Sequence, residues 1–358
     1  MFAEKLETVT IFEDNDPNGL GAWFPGAVKL SDSRLLATFS LGEEFEGRHQ
    51  MACSISTDDG KSWQFAGTMF NGIACGNLKP TALKDGSLIA VGYGFDPVNG
   101  VLVNGKTGGL APGANYAAFA DGNARNWSMP QKINTGMPEV LETSGPCLEL
   151  DNGDLISACT PFPMWDGSMP SCRKGYILRS CDKGKTWQKS SIFFETVQGN
   201  VAPYETRLAK LPDNRIIIMI WCLDEKIGKS LNNHTVYSDD NGFTWSAPID
   251  TGMPAQASNI FPLPDNTLLA IHCVREGNCG VYLNHAEISE GKWKTLHSEK
   301  IWCGENANKI GSLADMGDSL KFGQPSITAL EDGTFLIIHW AMSGRKGKIL
   351  GHRVKINF

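Results

Sequence analysis

The chain has no long apolar segment and no excess of positive charge. Its strongest apolar run, Ile216 to Leu223, has eight residues, whereas a helix that crosses a bilayer needs about twenty. The 358 residues carry a formal net charge of −7. Nucleic acids and anionic membrane surfaces attract basic proteins, so neither is expected as a partner. An anionic sugar is compatible with this charge, because a binding site can be locally basic.

The sequence also lacks the marks of export and of metal binding. The start, Met1 to Lys5, is not a basic region followed by an apolar stretch, so we expect a cytoplasmic location. A leader peptide already trimmed from the chain is the alternative. The ten cysteines show no metal-finger spacing, and several lie inside apolar runs, which favours buried free thiols over disulfides. We predict no metal and no organic cofactor. The cysteines in apolar runs are Cys53, Cys147, Cys159, Cys222 and Cys273.

Helix-like segments of ten or more residues are almost absent, and a repeated hairpin pattern takes their place. Each copy has an apolar strand ending at a leucine, a turn rich in Asp, Asn, Gly or Ser, and a second apolar strand. These turn residues tolerate the positive φ of a tight two-residue turn, so each copy predicts a β-hairpin. The six copies have their leucines at Leu30, Leu83, Leu150, Leu211, Leu263 and Leu330.

The spacing of these copies predicts the architecture. About 60 residues separate successive leucines, which is enough for a four-stranded sheet and one long loop, the unit of a β-propeller blade. We therefore predict an all-β, six-bladed β-propeller that occupies residues 1–358 as a single domain. The last blade lacks an outer strand, and the alternating segment Leu6 to Phe12 is expected to complete it and close the ring.

A second motif, S-x-D-x-G-x-x-W, occurs three times. In each copy the carboxylate is expected to accept backbone N–H bonds in a turn, and the Trp to pack on neighbouring strands. These Asp residues are therefore interpreted as structural and not as catalytic. The copies begin at Ser56, Ser180 and Ser238, with their aspartates at Asp58, Asp182 and Asp240.

Asp-box hairpins in a six-bladed propeller resemble the sialidase (neuraminidase) superfamily, including its non-sialidase relatives, over almost the whole chain. The resemblance implies a carbohydrate partner and glycoside hydrolysis. In this family the pocket lies at the central channel, where the inner strand of each blade begins. Counting back six and four positions from each leucine gives pairs that share one face of that strand. The pairs are Phe24/Gly26, Asn77/Lys79, Ser144/Pro146, Glu205/Arg207, Ala257/Asn259 and Gln324/Ser326.

Glu205 and Arg207 stand out, because a charged pair in an apolar inner strand is unusual for a core. A structural ion pair is the alternative. Glu205 matches the sialidase Glu that acts on the catalytic Tyr. The arginine clamp for a substrate carboxylate is not matched, because Trp23 stands in place of the first Arg. An aromatic ring there favours stacking on a neutral sugar face. At two further family positions the sequence reads Trp221-Cys222 in place of the second Arg, and His339-Trp340 near the Tyr-Glu pair.

The loop after the second strand of the first blade is the other candidate for acid–base chemistry. In sialidases it carries an Asp, and here Glu46, or Glu44, stands in, beside Arg48 and His49. A simple solvated loop is the alternative. Glycosidases use two carboxyl groups, and Glu205 with Glu46 would supply them, with His49 as a further candidate. Residues predicted to bind substrate are Trp23, Arg48, Lys79, Trp165, Tyr204, Arg207, Asn259, Gln324 and His339.

Three functions therefore compete. The first is a sialidase-related glycoside hydrolase acting on an unidentified carbohydrate. The second is a polysaccharide lyase with a His or Tyr base and a cation that neutralises a uronate. The third is a non-catalytic glycan-binding propeller.

Overall fold

The computed structural model describes residues 2–16, 18–43, 49–70, 76–305, 320–344 and 346–357. Within these ranges 26 strands form six antiparallel sheets, and no α-helix occurs. Accordingly, none of the described residues belongs to a helix that is long and apolar enough to cross a membrane. The sheets are the six blades of a β-propeller, as predicted.

The first three blades follow the chain in order. Blade 1 contains β2 (Gly21–Lys29), β3 (Leu35–Gly42), β4 (His49–Ser56) and β5 (Gln64–Thr68). Blade 2 contains β6 (Asn77–Ala82), β7 (Leu88–Phe95), β8 (Gly113–Ala120) and β9 (Gln131–Ile133). Blade 3 contains β10 (Leu141–Glu142), β11 (Leu148–Glu149), β12 (Leu155–Pro161), β13 (Gly175–Ser180) and β14 (Gln188–Phe194).

The last three blades repeat the arrangement. Blade 4 contains β15 (Val201–Lys210), β16 (Ile216–Asp224), β17 (Lys229–Ser230), β18 (His234–Ser238) and β19 (Ile249–Asp250). Blade 5 contains β20 (Ser258–Pro262), β21 (Leu268–Val274), β22 (Gly280–Ser289) and β23 (Lys292–Cys303). Blade 6 contains β24 (Phe322–Ala329), β25 (Phe335–Ser343), β26 (Lys346–Ile356) and the N-terminal β1 (Ala3–Phe12).

The N-terminal strand closes the ring. β1 pairs antiparallel with β26, from Ala3 opposite Ile356 to Phe12 opposite Ile349. This pairing covers the edge of β26 and gives blade 6 its fourth strand, and it confirms the prediction that the N-terminal strand closes the ring. The first strands of the blades meet around the hub, since β2 contacts β6 and β24, and β20 contacts β15 and β24.

The six predicted hairpins all form, but their turns differ from the expected ones. In each, the leucine N–H donates to the carbonyl of the residue four positions later, as between Leu30 and Arg34 at 2.8 Å. This geometry is a three-residue loop and not a two-residue one. Its third residue has a positive φ, for example Ser33 at 66° and Asn214 at 75°. A type I turn followed by a left-handed residue is the usual three-residue hairpin connection, so the same composition serves a loop one residue longer.

The Asp-box carboxylates are turn caps. Asp182 Oδ1 accepts the Thr186 N–H at 2.9 Å and the Ser180 hydroxyl at 2.8 Å, while Oδ2 accepts the Thr186 hydroxyl at 2.6 Å. The Trp187 indole donates to Gly184 O at 2.9 Å. The other two copies repeat the carboxylate bonds around Asp58 and Asp240. Trp63 also donates to the glycine of its box, whereas Trp245 donates to Ser191 Oγ at 3.2 Å. The structural interpretation of these aspartates is confirmed.

The core lies between adjacent blades. The apolar run predicted as a buried strand is β16, whose residues from Ile216 to Leu223 are all buried. The five cysteines placed in apolar runs are buried and free, as expected. Because each blade packs on two neighbours, the inner strands are fixed from both sides, and the geometry of the hub is set by the whole ring.

Candidate functional site

Three inner strands bulge at equivalent positions beside the hub. The ladders shift between Trp23 and Gly26 in blade 1, between Tyr204 and Arg207 in blade 4, and between Gly323 and Ser326 in blade 6. Each bulge contains one non-glycine residue with a positive φ, which costs about 1–3 kcal/mol when it is imposed by the fold. Bulges commonly redirect side chains next to functional sites. The three residues are Phe24 at 55°, Glu205 at 45° and Gln324 at 45°.

These bulges bring together two of the predicted residues. The Gln324 side-chain amide donates from Nε2 to Glu205 Oε1 at 2.7 Å. Asn77 Nδ2 donates to Gln324 Oε1 at 3.2 Å, so a chain of side chains crosses the hub from blade 2 through blade 6 to blade 4. Glu205 Oε2 is buried and has no hydrogen-bond partner among the described residues. One carboxylate oxygen is thus fixed and the other is left for a further group.

Glu142 is a buried carboxyl group at the hub that the sequence analysis did not single out. Its Oε1 accepts the Ser144 N–H and its Oε2 accepts the Glu205 N–H, each at 3.1 Å. Burial, aided by the nearby charge of Glu205, raises the pKa of Glu142 to about 7. The inner strand of blade 3 is interrupted between Glu142 and Leu148, so counting back from Leu150 gave Ser144 instead.

Arg207 and Lys79, both predicted, are buried basic residues beside these carboxyl groups. Arg207 Nη1 donates to Ser144 Oγ at 3.1 Å and to Thr206 O at 2.9 Å. Lys79 Nζ donates to Phe24 O and, at 2.8 Å, to Pro25 O, so it joins blade 2 to blade 1. Burial, and secondly the charge of Arg207, hold the pKa of Lys79 well below its usual range.

Arg275 is a second charged residue that the sequence analysis missed. It is fully buried, and its Nε donates to Phe322 O at 2.7 Å. Its guanidinium lies 5.8 Å from the ring centre of Trp221, and a Cβ on Gly323 would lie 1.8 Å from Nη2. Both terminal nitrogens lack a hydrogen-bond partner within the described ranges. The available indication was its position directly after the apolar strand β21.

Two predicted residues belong to a wall built by long loops. The Tyr204 hydroxyl donates to Glu225 Oε1 at 2.9 Å, and Glu225 also pairs with Arg173. Tyr204 is therefore tied to the loop after β12. Trp165, in the same loop, is partly buried, and its carbonyl accepts the Asn104 amide at 3.0 Å. The loops of blades 2 and 3 are thus joined to each other and to blade 4.

Two other predicted residues pair in blade 1. The indole of Trp23 is fully buried and stacks on His49, with ring centres 5.1 Å apart. Glu46 and Arg48, with the alternative Glu44, lie outside the described residues. The roles proposed for all of these side chains stay predictions.

The remaining predicted residues join blade 6 to its neighbours. Asn259 Nδ2 donates to Pro325 O at 2.9 Å, which links blade 5 to blade 6. His339 is fully buried, and its Nε2 lies 2.9 Å from Nε2 of His352. Its Nδ1 is 2.9 Å from Trp340 O, so Nδ1 carries a proton and Nε2 accepts from His352. Burial lowers the pKa of His339 to about 4. Sugar contacts by Asn259 and His339 stay predictions.

Chemically, the hub brings together groups that are suited to proton transfer and to charge recognition. Within the described part of the chain, no group of three or more His, Cys, Asp or Glu side chains is arranged to hold a metal ion. Two carboxyl groups, Glu142 and Glu205, lie close together with Arg207 and Lys79 around them. Such clusters of buried charge with shifted pKa values are typical of functional sites.

Comparison with solved structures identifies the fold. A protein of unknown function from Dyadobacter fermentans matches 99% of this chain and all of its own, with a TM-score of 0.79 and 18% identity. The Hadza microbial sialidase Hz136 matches 97% of this chain and 68% of its own, with a TM-score of 0.68 and 18% identity. Trypanosoma rangeli sialidase matches 98% of this chain, with a TM-score of 0.61 and 14% identity, and this chain spans 58% of its length.

No protein-family profile and no curated protein matches the sequence. The chain therefore has the sialidase-like six-bladed propeller fold, as the sequence motifs indicated. At this low sequence identity the similarity supports the fold and not a function.

Proposed function

We propose that the protein is a glycoside hydrolase of a sialidase-related type, with Glu205 as its central catalytic residue. The observation that carries the proposal is the Glu205 carboxylate. It sits on a bulge at the hub, one oxygen is held by Gln324, and the other has no hydrogen-bond partner among the described residues. A buried polar atom without a partner costs about 1–3 kcal/mol, so a substrate group at Oε2 would relieve that cost.

The partner of Glu205 argues against the tyrosine chemistry that the family resemblance implies. In sialidases the corresponding Glu acts on a catalytic Tyr, whereas here Glu205 is bonded to the amide of Gln324. An amide is neither a nucleophile nor an acid–base group near neutral pH. In the proposed reaction Glu205 therefore acts directly, either attacking the anomeric carbon or taking a proton from water. Glu46 is the proposed group that gives a proton to the leaving oxygen.

The buried guanidinium of Arg275 is relevant to whether the proposed substrate is an acidic or a neutral sugar. Its two unpartnered guanidinium nitrogens favour an acidic group on the substrate, because a buried cation is stabilised by an anion that accepts its hydrogen bonds. Trp23, in contrast, stands where the family has an arginine, and on sequence grounds it favoured a neutral sugar. The substrate test therefore has to include both classes.

The test is a screen of the purified protein against neutral 4-nitrophenyl glycosides, glucuronides, sialosides and natural oligosaccharides. We expect release of sugar from at least one substrate. Glu205→Gln is expected to lower kcat about a thousandfold or more while leaving substrate binding measurable. Full activity in Glu205→Gln would remove Glu205 from the mechanism. Asp58→Asn, in an Asp-box turn, serves as the control and should keep its activity in the folded protein.

Two alternatives rest on specific observations. Arg275 would also suit a polysaccharide lyase, because that reaction needs a cation to neutralise a uronate; its product would show the ultraviolet absorbance of an unsaturated uronate. The burial of Glu205, only 8% exposed, favours a non-catalytic glycan-binding propeller. That alternative predicts glycan binding with no product from any substrate.

A further inference from the structure

A buried carboxylate caps the bulge that carries Glu205. The ladder between β15 and β16 is irregular from Tyr204 to Arg207, and the Glu205 N–H in this stretch donates to Glu142 Oε2 at 3.1 Å. The cap comes from the neighbouring blade, 63 positions earlier in the chain. The other oxygen of Glu142 accepts the Ser144 N–H, and the Ser144 hydroxyl accepts from Arg207. One short segment of blade 3 therefore holds both charged residues of the bulge.

We propose that Glu142 is the positioning residue of Glu205: it holds the bulged backbone in place and sets a second buried carboxyl group beside the first. The inference rests on the proposed function, because it assigns a role within the same site. A purely structural cap would need only acceptors for the two N–H groups of Ser144 and Glu205, which uncharged polar groups supply without the desolvation of a carboxylate.

The surroundings of Glu142 make its charge depend on that of Glu205. Burial is the main cause that raises its pKa to about 7, and the charge of Glu205 raises it further, while Arg207 lowers it. When two such groups interact, their protons come off as properties of the pair. We therefore expect the pH–activity profile to have a limb near pH 7, where the turnover rate changes as the pair titrates. The titratable and charged groups that face Glu142 are Glu205, Arg207, Lys79, Tyr93, Tyr204 and Cys159.

The first test compares two buried glutamates of the same segment. Glu139 is a matched control, since its two oxygens accept the Ser171 N–H and hydroxyl, each at 2.7 Å, away from Glu205. We expect Glu142→Gln to lower kcat about tenfold or more, to change KM less than about threefold, and to remove the limb near pH 7. Glu139→Gln should keep that limb. An unchanged limb in a folded, active Glu142→Gln protein would overturn the proposal.

The second test needs no substrate, so it separates this proposal from the proposed function. Infrared spectroscopy follows the C=O band of a protonated carboxyl group as the pH rises. Wild type should show such a band that titrates near pH 7, and Glu142→Asp should change or remove it. In Glu205→Gln the band should titrate at a lower pH, because one negative charge is gone. The proposal fails if Glu205→Gln leaves that titration unmoved, whether or not any sugar is hydrolysed.

Discussion

Carboxylates occur at two places in this propeller under opposite conditions. In the Asp-box turns, both oxygens of Asp182 are satisfied by residues within four positions, and these bonds lower its pKa to about 2. At the hub, Glu142 and Glu205 come from different blades, the pKa of Glu142 rises to about 7, and Glu205 Oε2 has no partner among the described residues. The same chemical group is satisfied by local hydrogen bonds in one region, and in the other it is buried, incompletely bonded and energetically costly.

The largest effect should come from removing a hub cation. Arg207→Met would leave Glu142 and Glu205 without the guanidinium beside them, and breaking a buried charge cluster costs about 3–5 kcal/mol. We expect a loss of stability of that order in urea unfolding, greater at pH 8 than at pH 5, because Glu142 is ionised at the higher pH. A loss of unfolding free energy below about 1 kcal/mol at both pH 5 and pH 8 would mean that solvent screens the hub charges as it screens the charges in the turns.

As the pH falls from neutrality, the buried histidines should lose their contribution to stability at a higher pH than the Asp-box turns do. Burial lowers the pKa of His339 to about 4 and of His272 to about 3. Their neutral forms therefore add stability that is complete above pH 6.5 and is lost as the pH falls towards those values. For His339 alone the loss is on the order of 3 kcal/mol. The stability added by Asp182 should fade only between pH 3.8 and about 2.

Urea unfolding measured at intervals from pH 7 to pH 3 checks this order. In a folded His339→Gln protein the loss of stability between pH 6.5 and pH 4 should be smaller than in wild type. If both proteins lose the same amount in that window, the buried histidines do not control the acid response.

The smallest effect is expected in the turns. Asp182→Ala removes three local hydrogen bonds from a solvated loop, where the exposed N–H and hydroxyl groups can bond to water. We expect a loss of about 1–2 kcal/mol, seen as a melting temperature lower by a few degrees, with unchanged turnover per folded molecule. A thousandfold loss of turnover in this variant would contradict the purely structural role of the Asp-box carboxylates.

The difference between local turns and contacts that join distant blades also explains how much of the structure could be predicted from the sequence. The blades and the positions of the turns follow from local patterns, because a hairpin or an Asp box is built within a few residues, although each hairpin loop is one residue longer than predicted. The ring closure was predicted from an alternating strand at the start of the chain and a missing outer strand at its end. Glu205, Arg207, Lys79 and Gln324 were found by counting back from a repeated leucine, which works where the inner strand is continuous.

Glu142 and Arg275 escaped that count for physical reasons. The inner strand of blade 3 is interrupted after Glu142, so counting back from Leu150 reaches Ser144 and not Glu142. Arg275 directly follows the second strand of its blade, outside the inner strands that the count covers, and a side chain on Gly323 would collide with its guanidinium. The tie between Glu205 and Gln324 spans 119 positions and depends on two bulges with positive φ. No local pattern encodes that contact.

The union of β1 with β26 has a consequence for synthesis. Thr8 and His352, which bond across this seam, are 344 positions apart, so the first strand leaves the ribosome long before its partner exists. Until then the blades can form only an open arc, with an unpaired β1 and uncovered apolar blade faces at its ends, and such surfaces invite association with other chains. The nascent protein should therefore be most vulnerable to aggregation, and most dependent on chaperones, in the interval before its final strand emerges.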